Sequence, residues 1–268
     1  MWVMATLVFL HAHPDDEAIM TAGTMARAAD DGHRVVAVFA TRGELGETPP
    51  GMLAEGETLA ERRSVEAQRS GDVLGAARVE FLPYHDSGMA GSDTVDAPGA
   101  FAAADVEQAA TTLAALLREE HAEVLTIYDE RGGYEHPDHI QVHLVGRRAA
   151  ELASTPRVYA ATVDADALRA TVEAQRAQAL AAGEPAPDLP DPDELNLGLP
   201  AARITTRVDV APFLARKRAA MAAHESQISE EAFFLAMPDD LFAHTFGTEW
   251  YERLDTRPAE PETWLLET

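Results

Sequence analysis

The stretch V-M-A-T-L-V-F-L-H-A-H-P-D-D-E, residues 3–17, decides the fold and points to the chemistry of this chain. Its first part, 3–10, is a continuous apolar run that predicts a buried strand. Apolar side chains then recur at helical spacing over 18–29, which predicts a helix that ends at Gly32. The polar cluster at 13–17 therefore lies in a strand-to-helix turn.

This polar cluster, His13-Pro14-Asp15-Asp16-Glu17, places one imidazole and three carboxylates within five residues. Such a density of ligand atoms is typical of a metal site that activates water. Helix capping is the alternative, because Asp15 and Asp16 are good N-cap residues and Glu17 suits the positive end of a helix dipole. Capping accounts for one or two of the acids but not for His13.

A second cluster, Tyr-Glu-His-Pro-Asp-His at 134–139, follows the apolar run at 124–128 across a loop with two glycines. His136 and His139 lie three residues apart, so they can share one face at the start of a helix that Pro137 favours. An H-x-x-H pair alone is a weak indication of metal binding. Together, the two clusters offer two histidines and one aspartate for zinc, and the chain has no cysteine for a Cys-type site.

The composition narrows the function classes. The chain has 268 residues and a formal net charge of −25, and Lys217 is its only lysine. This length suits one α/β domain, and the lack of a basic stripe disfavours nucleic acid and anionic membranes as partners. The N-terminal run has no cationic segment or cleavage site, and no stretch reaches the about 18 apolar residues of a membrane span. We therefore expect a cytoplasmic protein, whose oligomeric state the sequence leaves open.

Predicted strands and helices alternate along the chain. This pattern is typical of a Rossmann-like, doubly wound, mostly parallel sheet with helices on both faces. Further strands are predicted over 34–40, 79–84, 123–128, 157–163 and 203–210, and further helices over 58–74, 105–120, 138–152, 164–182 and 212–225. Ligands bind beyond the carboxyl ends of the strands in such sheets, and both polar clusters follow strands. A dinucleotide site is disfavoured, because no G-x-G-x-x-G follows the first strand.

We expect residues 1–268 to form a single domain. The motif-bearing α/β core spans 1–163, and 201–268 adds a strand and a helix that pack on this core. Between them, 184–200 carries five prolines among acids. That composition predicts an extended surface loop or lid, with a plain linker as the alternative.

The motifs resemble those of the LmbE-like, or PIG-L, zinc-dependent N-deacetylases. The resemblance rests on A-H-P-D-D-E at 12–17, T-R-G-E-x-G at 41–46, R-x-x-E at 63–66 and G-G-Y-x-H-P-D-H at 132–139. It covers roughly the first 160 residues. D-S-G-M at 86–89 looks closest to the mycothiol-pathway members, a deacetylase of N-acetylglucosaminyl-inositol and a mycothiol S-conjugate amidase. A late A-H-E-S-Q, at 223–227, resembles the A-H-x-[ST]-Q segment of actinobacterial members.

This resemblance implies one zinc ion per chain and roles for the motif residues. The zinc ligands are His13, Asp16 and His139. Asp15 is the general base that takes a proton from the zinc-bound water. His136 steadies the oxyanion or protonates the leaving amine, and a cationic imidazole there would contribute roughly 3–4 kcal/mol to transition-state binding. The sequence does not decide whether Asp15 or His136 protonates the amine.

The remaining implied roles concern the substrate and the surroundings of the metal. Tyr134 helps to polarise the substrate carbonyl, and Arg63 binds the substrate. Asp86 contacts a sugar hydroxyl, and Glu47 lies near the expected acetyl pocket. Asp138 orients either His13 or His136 as a carboxylate outside the ligand set.

Three histidines outside the motifs need separate interpretations. His11 is predicted to be packed or hydrogen-bonded rather than a ligand. His143 lies four residues after His139, a spacing that also suits a ligand pair, but we expect it to be an ordinary helix residue. For His224, a place at the pocket and a place away from it are equally open.

The sequence therefore predicts a hydrolase that removes an N-acetyl group from an N-acetylglucosaminyl-type substrate, with N-acetylglucosaminyl-inositol as one candidate. The alternatives are a mycothiol-S-conjugate-type amidase, a deacetylase of another small amino sugar or secondary-metabolite glycoside, and a catalytically silent sugar-binding homologue. A silent homologue is expected to lack Asp15 or a ligand, and this chain keeps them all. A metal-dependent phosphoesterase would use more carboxylate ligands or two metal ions.

Overall fold

The computed structural model describes residues 4–182, 197–229, 232 and 234–266, which contain a seven-stranded sheet. Its strands are β1 Thr6–His11, β2 Arg34–Phe39, β3 Arg78–Phe81, β4 Val124–Tyr128, β5 Arg157–Thr162, β6 Thr206–Asp209 and β7 Thr248–Arg253. They lie in the order β3-β2-β1-β4-β5-β7-β6. Strands β1 to β5 run parallel, whereas β7 is antiparallel to both β5 and β6. The predicted mostly parallel sheet is therefore confirmed.

Helices cover both faces of this sheet. They are α1 Asp16–Met20, α2 Ala22–Asp30, α3 Leu59–Leu74, α4 Val106–Glu119, α5 Gly132–Glu135, α6 Pro137–Ala153, α7 Ala165–Ala182, α8 Leu214–Ala223 and α9 Asp239–Phe246, with a 3-10 turn at Ala211–Phe213. On β1, Val8 and Leu10 share a core with α4 and α6, while Leu7 and Phe9 share the opposite core with α2 and α8. Burial on both faces explains the continuous apolar run. None of the helices within the described ranges is long and apolar enough to cross a membrane.

Capping residues set the starts of two helices where the sequence predicts them. The Thr58 side chain accepts from Glu61 N in a full capping box at the start of α3. The Asp105 side chain accepts from Gln108 N at the start of α4. These bonds satisfy N–H groups that have no partner inside the helix. The predicted helices at 58–74 and 105–120 are confirmed, with each cap residue just outside.

The strand order reverses beside β1, because β2 lies on one side of it and β4 on the other. A crevice forms at such a point beyond the carboxyl ends of the strands, and it is where open α/β sheets bind ligands. The polar cluster at 13–17 follows β1, and the cluster at 134–139 follows β4. The topology therefore brings together two clusters that lie far apart in the sequence.

The sequence pattern does not predict β7, because the buried face of this strand carries an acid. Glu249 and Tyr251 are both buried. Glu249 accepts hydrogen bonds from Gly23 N and Thr24 N, both at 2.8 Å, near the start of α2. Lys217 Nζ lies 2.6 Å from the same carboxylate, and this only lysine of the chain is 1% exposed. The pair compensates a charge that alone would be too costly to bury.

Part of the predicted domain organisation falls outside the described residues. Residues 184–196 of the predicted loop or lid at 184–200 are not among them, so its form stays a prediction. At the far end of this segment, Gly198 N donates to Gly133 O at 3.3 Å, beside the second polar cluster. The region 201–268 contributes β6 and β7 to the same sheet as the motif-bearing core.

Gly146 on α6 packs too closely on the sheet to accept a side chain. A Cβ at this position would lie 2.3 Å from Ile127 Cγ2. Gly146→Ala gains about 1 kcal/mol of helix propensity but overpacks the core at a cost of roughly 1–3 kcal/mol. The difference is a net loss, and we expect urea denaturation to show a free energy of unfolding about 1 kcal/mol lower than that of the parent. Leu144→Ala, at a 46% exposed position of the same helix, is the control and should change it by less than about 0.5 kcal/mol. A Gly146→Ala protein as stable as the parent would contradict this packing.

Candidate active site

The turn after β1 fixes its acids by hydrogen bonds within the turn. Asp16 Oδ2 accepts from His13 N at 2.9 Å, and Glu17 Oε2 accepts from Asp15 N at 3.0 Å. Asp15 has a φ of 108°, a conformation that residues with a side chain rarely adopt. It stands at the N-cap position of α1, but its side chain makes no capping hydrogen bond. Capping therefore does not explain the Asp15 carboxylate.

His139 is held by the glycine turn that precedes α6. Gly132 has a φ of 62°, and a Cβ there would lie 2.4 Å from His139 Cβ, so only glycine fits. The Gly132 carbonyl lies 3.1 Å from His139 Nδ1 and orients the ring. This leaves His139 Nε2 buried, 3.4 Å from Asp16 Oδ2, with no hydrogen-bond partner among the described residues.

His13 lies among three carboxylates. Its Nδ1 is 3.6 Å from Asp16 Oδ2, while its Nε2 is 3.1 Å from Asp138 Oδ2 and 3.5 Å from Asp86 Oδ1. Burial opposes protonation of His13, but hydrogen bonds to Asp138, Asp16 and Asp86 outweigh it and raise the pKa of His13 well above its ordinary value. The crevice is therefore strongly attractive to positive charge.

The arrangement of these donors fits a divalent metal ion. His13 Nε2 and His139 Nδ1 each face an acceptor, so a hydrogen sits there, and the other nitrogen of each ring faces Asp16. A metal ion that displaced the second hydrogen of His13 would find a lone pair from each ring beside the Asp16 carboxylate. Ligand atoms about 2.0–2.1 Å from a tetrahedral metal are about 3.3–3.4 Å apart, close to the 3.6 Å and 3.4 Å that separate these two nitrogens from Asp16 Oδ2.

Two sets of three residues, neither of which includes Asp16, offer ligand atoms that all lie within 4.8 Å of one another. They are His13, His136, His139 and His13, Asp86, Asp138. Asp138 is wholly buried, however, and accepts hydrogen bonds from Ser87 N, at 3.0 Å, and from Ser87 Oγ. It therefore serves to orient His13. Ser87 belongs to the D-S-G-M segment, in which the sequence interpretation gave a role only to Asp86.

His136 lies beside the rings of His13 and His139, in a setting that disfavours a positive charge on it. Its Nδ1 accepts a hydrogen bond from Asp138 N at 3.1 Å, which places its hydrogen on Nε2. Burial, with His13 and His139 nearby, lowers the pKa of His136 to about 4. A lowered pKa favours the neutral ring over the imidazolium that the resemblance implies. The role of His136 toward the oxyanion or the leaving amine stays a prediction.

Arg63 lies against Asp15. Its guanidinium donates to Gly43 O at 2.7 Å and to Pro14 O, and Nη2 is 3.3 Å from Asp15 Oδ1. Burial raises the pKa of Asp15 to about 6, although Arg63 opposes this rise. Arg63 itself is only 3% exposed, and these contacts are with the turn after β1 and with Gly43. Its implied contact with substrate stays a prediction.

The other implied substrate residues lie at different depths. Asp86 is buried, and it accepts hydrogen bonds from Gly88 N at 2.8 Å and Leu45 N at 3.2 Å. Tyr134 is 48% exposed, with its ring centroid 4.9 Å from that of His139, so it stands at the mouth of the crevice. The Glu47 side chain is exposed. Their roles toward substrate stay predictions.

The last residues of β1 and β4 support the site from below. Tyr128 OH accepts from Ala12 N at 3.2 Å and lies 2.9 Å from His11 Nδ1, and its ring lies 4.7 Å from that of His139. The prediction of a hydrogen-bonded His11 is confirmed. His143 Nδ1 lies 2.9 Å from Tyr128 O, so this ring is held by the strand. Sequence reasoning missed Tyr128, and its position at a strand end was the available signal.

Comparison with known proteins identifies the family. A family model described as PIG-L: GlcNAc-PI de-N-acetylase matches residues 8–150, more than half of the chain. The chain belongs to this family. A 1D-myo-inositol 2-acetamido-2-deoxy-alpha-D-glucopyranoside deacetylase from Nocardiopsis dassonvillei is 38% identical over 267 residues, 92% of this chain and 93% of the relative. The PIG-L resemblance that the motifs predicted is confirmed.

Solved structures with the PIG-L fold include more than one kind of enzyme. The N,N'-diacetylchitobiose deacetylase of Pyrococcus horikoshii aligns with a TM-score of 0.57 and 19% identity, over 93% of this chain and 83% of that one. GalB, the 4-carboxy-2-hydroxymuconate hydratase of Pseudomonas putida KT2440, aligns with a TM-score of 0.59 and 19% identity, over 96% and 99%. At these identities the likeness shows the fold alone. The reaction has to be argued from the site.

Proposed function

We propose that this protein is a zinc-dependent hydrolase that removes the acetyl group from an N-acetylglucosaminyl-type substrate, with N-acetylglucosaminyl-inositol as the leading candidate. The observation that carries the proposal is the approach of two imidazole nitrogens to one oxygen of Asp16, in the turn that also holds Asp15. The inositol-linked substrate is supported by the printed activity of the Nocardiopsis relative, which aligns over nearly all of both chains.

His13 Nδ1, Asp16 Oδ2 and His139 Nε2 would hold the zinc. Three protein ligands leave the fourth position open, as in catalytic zinc sites. Zinc there supplies Lewis acidity, which lowers the pKa of water toward about 7 and polarises an amide carbonyl. Asp138, held by Ser87, keeps His13 turned so that Nδ1 faces Asp16.

Asp15 would take the proton from the attacking water. A base works best when its pKa lies near the operating pH, and burial brings that of Asp15 to about 6. Arg63, 3.3 Å away, fixes the position of the carboxylate and favours its charged form before the proton transfer. The water oxygen bonds to the amide carbon while this proton moves to Asp15.

His136 would stabilise the negative charge that develops on the carbonyl oxygen. Its neutral Nε2–H can donate a hydrogen bond to that oxygen, an interaction whose loss typically lowers kcat about 10²–10³-fold. The lowering of the pKa of His136 to about 4 favours a neutral ring, so we assign to Asp15 the return to the leaving amine of the proton taken from water. Tyr134, at the mouth of the crevice, is placed to approach the carbonyl from the solvent side.

An acetate-release assay over a panel of amides tests this function. The panel contains N-acetylglucosaminyl-inositol, N-acetylglucosamine, diacetylchitobiose and a mycothiol S-conjugate. We expect acetate from the first, with kcat/KM at least about tenfold above that for free N-acetylglucosamine, because contacts to the inositol add transition-state binding. Protein treated with a chelator should be inactive, and added zinc should restore activity.

Two results of this assay would contradict the proposal. Cleavage of the S-conjugate without acetate release from the first substrate would favour the amidase alternative. No product from any of the four amides, with zinc bound at one per chain, would favour the sugar-binding homologue.

A further inference from the structure

We propose that His224 is a positioning residue for the catalytic base, acting on Asp15 through the buried carboxylate of Glu17. The inference rests on the role proposed for Asp15 above. His224 lies in the late A-H-E-S-Q segment at 223–227, beyond the residues 8–150 that match the family model. The sequence motifs do not indicate a function for this histidine.

A continuous hydrogen-bonded path joins His224 to Asp15. His224 Nε2 lies 2.6 Å from Glu17 Oε1, and Ser70 Oγ donates to the same oxygen. The other carboxylate oxygen, Glu17 Oε2, accepts from Asp15 N at 3.0 Å. Glu17 is 1% exposed and His224 is 0% exposed, so the path runs entirely through the interior. A displaced Glu17 therefore acts directly on the backbone of Asp15.

The backbone of Asp15 needs such support. Its φ of 108° is costly for a residue with a Cβ, and such conformations persist only where the surrounding structure holds them. Two hydrogen bonds tie this peptide to the core, one from Asp15 N to Glu17 and one from Arg63 to Pro14 O, and only the first involves the acid that His224 contacts. If the first bond relaxes, the Asp15 carboxylate moves relative to Arg63, now 3.3 Å away, and relative to the water that it should deprotonate.

Glu17 in turn depends on His224. A buried carboxylate is costly unless its oxygens are hydrogen-bonded, and removal of one donor leaves an oxygen short of a hydrogen bond. Among the described residues, Ser70 Oγ supplies one side-chain hydrogen bond to Glu17 Oε1 and His224 Nε2 supplies the other. Arg63 does not substitute for His224, since its guanidinium is directed to Gly43, Pro14 and Asp15.

The same short segment reaches two further parts of the site. Ser226 N and Oγ donate to Glu66, at 3.0 Å and 2.7 Å, one turn after Arg63 on α3. Gln227 Nε2 donates to Glu47 O at 3.1 Å. The four residues 224–227, which follow α8, are thus hydrogen-bonded to the turn at 13–17, to the helix that carries Arg63 and to the loop at 44–56. This segment therefore holds the turn, the helix and the loop in a fixed arrangement.

Two substitutions at His224 test the proposal. His224→Leu keeps the volume and removes the donor, whereas His224→Gln retains an N–H donor near the position of Nε2. We expect His224→Leu to lower kcat about 10- to 100-fold, with KM changed less than about threefold and zinc still bound at one per chain. His224→Gln should restore kcat to within about threefold of the parent. Tyr251→Phe is the matched control, because it deletes the buried hydroxyl that bonds to Thr24 and Glu249 and does not touch the turn at 13–17, and it should keep the parental kcat.

A double-mutant cycle with Glu17→Gln separates positioning from general loss of stability. If His224 acts through Glu17, the double variant should lose no more kcat than the worse of the two single variants. Losses that multiply would overturn the proposal, as would a folded, zinc-loaded His224→Leu protein with the parental kcat. A loss of kcat that follows loss of zinc would overturn it too.

Crystal structures of the parent and of His224→Leu separate this inference from the proposed function. A parent that releases no acetate would refute the function, yet positioning could still be judged from the backbone. In His224→Leu, an Asp15 φ that has left the positive region supports positioning, and an unchanged φ overturns it. Should His224→Leu fail to fold, the same comparison is made between the parent and Glu17→Gln.

Discussion

Asp15→Asn should lower kcat about 10²–10⁴-fold, the range expected for loss of a positioned base, while zinc content and fold stay unchanged. Asparagine has the shape of aspartate, and it tolerates a positive φ better than most residues, so the turn with φ 108° can persist. Its backbone N–H can still donate to Glu17 Oε2. The amide side chain cannot take a proton from water, so the deficit should lie in kcat. An acetate-release assay measures kcat, and metal analysis of the same preparation measures the zinc content.

The pH profile gives the same prediction a second readout. Burial raises the pKa of Asp15 to about 6, and the base works only when deprotonated. The kcat/KM of the parent should therefore increase as the pH rises through the pKa of Asp15. A positive charge next to Asp15 would shift this rising part of the profile to lower pH. Asp15→Asn should lack this rising part. Asp31→Asn, at the exposed end of α2, is the control and should keep the parental profile. An Asp15→Asn protein with more than a tenth of the parental kcat would remove the base from the mechanism.

His139→Asn should abolish zinc binding at one per chain and lower kcat/KM at least about 10³-fold, because the metal contributes several kcal/mol to catalysis. The asparagine amide can replace Nδ1 as donor to Gly132 O, so the glycine turn keeps its hydrogen bond. What it cannot replace is Nε2, the buried nitrogen that faces Asp16 at 3.4 Å. The loss should therefore come from the ligand atom and not from the fold.

His143→Asn is the matched control for this variant. It makes the same chemical change one turn later on α6, where the asparagine amide can keep the bond from Nδ1 to Tyr128 O. This protein should bind zinc and turn over at nearly the parental rate. The opposite pattern, with zinc lost at 143 and kept at 139, would favour the H-x-x-x-H spacing in the ligand set.

Most of the sheet follows from local sequence. The apolar runs before both polar clusters predict β1 and β4, because strands buried on both faces need apolar side chains at every position. The failure at β7 has a three-dimensional cause, since Glu249 is buried only by virtue of Lys217 and two N–H groups at the start of α2. The sequence of β7 alone therefore cannot show that Glu249 has these partners.

Some features of the site also follow from the sequence, and others do not. The meeting of the clusters at 13–17 and 134–139 follows from the topology of parallel strands. The charge of His136 cannot be predicted in this way, since its lowered pKa depends on burial and on the neighbouring His13 and His139. Nor could spacing decide which ring Asp138 orients, because the choice rests on a contact of 3.1 Å to His13 Nε2 across the sheet.

The burial of Lys217 determines how this protein reacts with amine-modifying reagents. The folded chain presents no lysine amine to solvent, since its single lysine is 1% exposed and paired with Glu249. Amine-reactive dyes or resins should therefore spare Lys217 in the folded protein. Labelling at Lys217 would require the core to open, so its rate reports directly on unfolding of the native state.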